Sequence, residues 1–171
     1  MFSVSVMLLS GCLTKWEEPY FVVKPSGLNV VNIRQHYTTG RMAGHHVNLR
    51  IAGNGTVTIT EGASARVANS YANDPKGDNW NDLREHRFTI PEEEAVIVFQ
   101  KLVNSGLFVK HKFAPENVDS NETAMVYVSA KIQHKTIGAP QPVTDPELLE
   151  TLKMVVMTFH TPRPMRKTNL N

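Results

Sequence analysis

Between residues 47 and 60 the chain alternates apolar and polar residues on both sides of Gly53-Asn54-Gly55. Val47, Leu49 and Ile51 precede the glycines, and Val57 and Ile59 follow them, spaced by Thr56, Thr58 and Thr60. Successive side chains of a strand point to opposite faces, so each arm acquires one apolar face. Asn-Gly between two such arms is the strongest short-range hairpin signal, because both residues tolerate the positive φ of a type I′ turn. A chain built on this hairpin must cover one face of an antiparallel sheet.

The remaining apolar patterns supply that cover. Pro91 with Glu92, Glu93 and Glu94 opens a helix, since proline is preorganised for the first turn and carboxylates favour the positive end of the dipole. Ala95, Val96, Phe99, Leu102 and Val103 recur at helical spacing, and Gly106 ends the helix with Leu107 and Phe108 folding back. Thr144-Asp145-Pro146-Glu147 reads as a second helix start, followed by Leu148, Leu149, Leu152, Val155, Val156 and Phe159, with Pro162 and Pro164 ending it. Residues 28–34 and 85–90 read as strands. Val126, Val128, Ala130 and Ile132 alternate in a long half-exposed strand, and a Pro-rich turn leads on to Thr144. Strands, helix, strand, helix, without βαβ alternation, predict an α+β fold: an antiparallel β-sheet with two amphipathic helices packed on one face. The domain is expected over 28–161, with a flexible tail over 162–171.

Of the 171 residues, 41% are hydrophobic and 20% charged, and the single cysteine excludes an intramolecular disulfide, so packing alone must stabilise one core. A net charge of +2 lacks the clustered basic footprint of a nucleic-acid binder, and Arg163, Arg166 and Lys167 fall in the tail. No nucleic-acid partner is expected.

Residues 1–11 carry no charge, and Phe2, Val4, Val6, Met7, Leu8 and Leu9 form an apolar run too short to span a bilayer. The run closes with Leu9-Ser10-Gly11-Cys12, which resembles the lipobox of bacterial lipoproteins, although the Lys or Arg that usually opens such a peptide is missing. The resemblance implies a signal peptide over 1–11 and a lipid on Cys12, with enough acyl chains for stable anchoring. Leu13-Thr14 lacks the aspartate resembling an inner-membrane retention signal, which implies the outer membrane, facing the periplasm. Residues 12–27, with Trp16, Glu17, Glu18, Pro19, Pro25 and Ser26, read as a tether or irregular lead-in.

No motif amounts to an active site. His45 and His46 are adjacent on a strand and so point to opposite faces, and neither an HExxH nor a Cys/His spacing joins them to His36, His86, His111, His134 or His160. Asp74, Asp78, Asn79 and Asp82 lack the order of an EF-hand loop, and the role of Glu92, Glu93 and Glu94 at a helix start already accounts for them. There is no G-x-S-x-G elbow and no Gly-rich phosphate loop. No catalytic residue, metal site or cofactor is expected. The long stretch from Gly62 to Leu83 reads as a surface loop, and its Tyr71, Asp74, Asp78 and Trp80 are the candidate binding residues.

The run from Val47 to Phe108, ending in Ser-Gly-Leu-Phe, resembles the small envelope domains of the emfourin type of metalloprotease inhibitors. That resemblance covers about a third of the chain and implies a periplasmic hydrolase inhibitor. The principal expectation is a non-catalytic, lipid-anchored envelope protein acting as a protein-binding or assembly module. A protease inhibitor is the alternative, and a metal-binding or hydrolytic lipoprotein a second one.

Overall fold

The computed structural model of the protein describes residues 19–37, 44–63, 81–109, 112–113 and 124–160. Its elements are β1 (Val30–Tyr37), β2 (His45–Ala52), β3 (Thr56–Ala63), β4 (Asn81–Thr89), α1 (Glu92–Asn104), β5 (Ala124–Ile132), β6 (Lys135–Pro142) and α2 (Pro146–His160). The strands form one sheet in the order β4-β3-β2-β1-β5-β6, with every neighbouring pair antiparallel. The fold is α+β, as the patterning predicts. The chain meanders outward from β1 to β4, passes through α1, and lays β5 against the other side of β1.

Both helices cover the same face. Val31, Ile33, Leu49, Ile51, Val57, Val128 and Ile132 alternate onto that face and join Phe99 and Leu102 of α1 and Leu148 and Leu152 of α2 in one buried cluster. Fully burying a side chain of this size contributes about 1.5–3 kcal/mol, so this layer dominates stability. Among the described residues no helix is long and apolar enough to cross a membrane.

The helix ends follow the sequence. Gly106 adopts φ +87, and the Gly106 and Leu107 N–H groups donate to Val103 and Leu102 carbonyls, a Schellman stop that buries Leu107. At the start of α2 the Asp145 Oδ1 accepts the Leu148 N–H at 2.9 Å.

The hairpin forms where expected, but its turn differs from type I′. Only Gly55, at φ +79, takes a positive φ, and its N–H donates to the Ala52 carbonyl at 2.9 Å, giving a three-residue loop. The surroundings explain the choice. A Cβ at Gly53 would lie 1.9 Å from the Ser26 carbonyl oxygen, and one at Gly55 would lie 2.1 Å from that of Ile90. The turn is clamped between the lead-in and the β4–α1 junction.

The stretch read as a Pro-rich turn forms β6 instead. Pro140 and Pro142 lack N–H groups, and a strand at the sheet edge tolerates them because one side of its backbone has no ladder to complete. The β5–β6 turn places Gln133 at φ 54, held by donation of its N–H to Asn29 Oδ1 at 2.9 Å. Both arms around the expected 62–83 loop also run further: β3 extends to Ala63 and β4 begins at Asn81, while β1 continues to Tyr37.

Within the lead-in, residues 21–23 lie against α1. Gln100 accepts the Val23 N–H at 2.8 Å and donates to the Phe21 carbonyl at 3.0 Å, and Val23 joins the core. The Phe21 ring sits 5.8 Å from that of Phe108.

Candidate functional site

Strand register assigns every sheet side chain to a face. Val31, Ile33, Gln35 and Tyr37 point toward the helices, so Val30, Asn32, Arg34 and His36 of the same strand point away. Cross-strand pairing then sorts the far face into rows. One row runs Arg87, Thr58, Arg50, Asn32, Ser129 from β4 to β5, and the next runs Glu85, Thr60, Asn48, Arg34, Tyr127. A third places Gly62, His46, His36 and Met125 side by side. These rows are mostly polar, with Val30 and Ala52 paired beside Asn32 and Arg50 on the same face, and neither helix lies on it.

Half of the face is buried. His46 is fully buried, and its ring stacks on His36 with centroids 4.2 Å apart and planes parallel. The Arg34 guanidinium carbon lies 4.8 Å from the Tyr127 ring centre, a cation–π contact between buried groups. Desolvation by burial, with the neighbouring His36 and Arg34 charges adding to it, lowers the His46 pKa to about 3. His36 is lowered for the same reasons, burial first and Arg34 second, so both imidazoles are neutral at physiological pH. Burial raises the Tyr127 pKa, with Arg34 opposing. The half-exposed strand expected over 126–132 is therefore buried on both faces at Tyr127 and Ser129 and exposed again at Lys131.

Imidazole lone pairs lie in the ring planes, so parallel stacked rings do not converge on one ion. Among the described residues no three His, Cys, Asp or Glu side chains are placed to hold a metal. His45 and His46 do point to opposite faces, as their adjacency requires.

The other half of the face is open from Arg87 to Asn32, with the buried Ser129 at its inner end. Asn32 Nδ2 donates to Ser129 Oγ at 3.2 Å, and Arg50 Nη1 donates to Asn32 Oδ1 at 3.3 Å, so a three-strand chain of hydrogen bonds orients the exposed guanidinium. Arg87 and Lys131 flank it, also exposed. Arg34, Arg50, Arg87 and Lys131 share the face with a single described carboxylate, Glu85.

A second titratable cluster lies on the helix side. His160, the last residue of α2, places Nε2 2.6 Å from Glu61 Oε2 of β3, with Arg84 across the strand from Glu61. The His160 hydrogen bond holds the Glu61 carboxyl below its usual range against an opposing effect of burial. His45 is lowered by burial, which outweighs the attraction of Glu61, and its ring centre lies 6.3 Å from that of Tyr37.

Cys12 and the loop residues Tyr71, Asp74, Asp78 and Trp80 lie outside the described residues. The polar rows are not visible in the sequence because the connection over 38–43 hides the register of β1 on β2, and β1 on β5 pairs residues about a hundred apart. Threonine alternation in β3 is the one visible trace. No protein-family model matches this chain, and a search of the curated proteins finds no match.

Proposed function

We propose that this is a non-catalytic, lipid-anchored protein of the bacterial cell envelope, held by a lipid on Cys12 at the outer membrane and docking another protein on the side facing the periplasm. The observation that carries the docking reading is the open half of the sheet face, where Arg50 is held outward through Asn32 and Ser129. Groups fixed before association lose less side-chain entropy on binding, which favours a preorganised polar surface as an interface. The lipobox-like Leu9-Ser10-Gly11-Cys12 supports the anchor.

Two measurements test this. The intact mass of membrane-extracted protein should correspond to a chain beginning at an acylated Cys12, and Cys12→Ala should abolish that species; an unmodified full-length chain would refute the anchor. A photo-crosslinking amino acid at position 56 or 58, on the open face beside Arg50 and Arg87, should yield a discrete adduct in intact cells that position 93, on the helix side, does not. Equal labelling from both sides, or none, would refute docking through this face.

A further inference from the structure

We infer that the partner presents an acidic polypeptide segment laid across the strands of the open face. This rests on the docking reading above and names the chemistry of the occupant. Arg87 and Arg50 lie in one row with β3 between them, so a strand spacing of ~4.8 Å places their backbones ~10 Å apart. Lys131 lies two strands from Arg50 in the other direction and two residues along, about 12 Å away by the same spacings. Carboxylates seven residues apart on one side of a helix repeat every ~10.5 Å, which matches this line of cations. Thr56, Thr58 and Asn32 lie among them as hydrogen-bonding groups.

Charge segregation orients the encounter. The helix side carries Glu92, Glu93 and Glu94 at the start of α1 and Glu147 and Glu150 on α2, which repel an acidic partner, while the open face attracts it. Two other anionic surfaces fit less well. Bases need exposed aromatic platforms, and Tyr127, the described aromatic ring on this face, is buried beside Arg34. Membrane contact draws on several exposed apolar side chains beside the cations; among the exposed large apolar residues Ile97, Met154 and Met157 lie on the helices, and Leu83 of β4 is the only one on a described strand.

The test uses the full chain in detergent and a labelled helical peptide with glutamates seven residues apart, read by fluorescence anisotropy at low salt. Simultaneous Arg50→Glu, Arg87→Glu and Lys131→Glu should weaken binding by about tenfold or more, whereas Lys101→Glu with Lys153→Glu on the helix side should change it by less than about twofold. These positions lie outside the core, and circular dichroism checks that each variant is folded. Equal loss in both variants would reduce the effect to net charge and overturn the inference, as would absence of peptide binding. Capture of phosphatidylglycerol vesicles through the same three residues, without the peptide, would assign the face to the membrane and overturn it too. The crosslinks in cells separate this inference from the docking reading: adducts at positions 56 and 58 that survive the three charge swaps would retain docking and reject the acidic partner, whereas no adduct even with the native charges would reject docking itself.

Discussion

Lys112 and Asp145 join the two helices at one point: the Lys112 ammonium lies 3.0 Å from Asp145 Oδ1 at the start of α2 and 3.0 Å from the Ser105 carbonyl oxygen at the end of α1. The aliphatic stem passes over Gly106, where a Cβ would lie 2.6 Å from Lys112 Cε. Burial opposes the Lys112 charge, but Asp145 and Glu147 outweigh it and raise the pKa. Asp145 is lowered by the Leu148 N–H first and Lys112 second, so one carboxylate serves both as helix cap and as ion-pair partner.

Lys112→Met removes the donor to the buried Ser105 carbonyl and should destabilise the fold by about 1–3 kcal/mol. Glu147, largely exposed at 3.4 Å from Lys112, contributes little, and Glu147→Ala should stay within about 0.5 kcal/mol of wild type. Urea unfolding midpoints distinguish the two; equal effects would contradict the assigned roles.

Gly55→Ala meets both a positive φ and the Ile90 carbonyl, and should cost more than about 2 kcal/mol. A Cβ at Gly138 of β6 would have nothing within 4 Å, and Gly138 has no positive φ, so Gly138→Ala should be neutral or slightly stabilising. Thermal melts of both variants check this contrast.

His46 stays neutral in the folded protein down to about pH 3, whereas the unfolded chain takes up that proton below its ordinary pKa of 6.5. A depressed folded pKa means the contribution is fully present above pH 6.5 and is lost as pH falls toward 3. His46→Gln should therefore flatten the pH dependence of stability between about pH 6 and 4 relative to wild type, by up to ~1.4 kcal/mol per pH unit. An NMR titration should show no protonation of the His46 ring above about pH 4.

Glu61 has the matching acid-side signature. Its folded pKa lies below the ordinary value of 4.5, so its pairing with His160 stabilises above that pH and is lost as pH falls through the folded pKa. Glu61→Gln should lower the unfolding midpoint at about pH 6 and lower it less at about pH 4. A penalty of equal size at both values would mean that packing, rather than the ion pair, holds the end of α2.

Much of this architecture was legible in local patterns. The spacing of Phe99, Leu102 and Val103 and of Leu148, Leu152 and Val155 identifies both helices, and Gly106 and Asp145 mark the ends where the structure has them. β6 was not legible, because Pro140 and Pro142 argue against a strand unless it is known to lie at an edge.

Helical and strand periods, caps, the site of the hairpin and the α+β class all depend on neighbours within a turn or two, and so were readable from local patterns. The turn conformation at Gly55, the stacking of His36 on His46, the row of Arg87 and Arg50 with Lys131 beyond it, and the clasp of Lys112 on Asp145 emerge only once distant segments have packed together. Each of these depends on strand register or on contact between distant segments. Local hydrophobic periodicity states that a face is buried, but not which residue of another strand stands beside it.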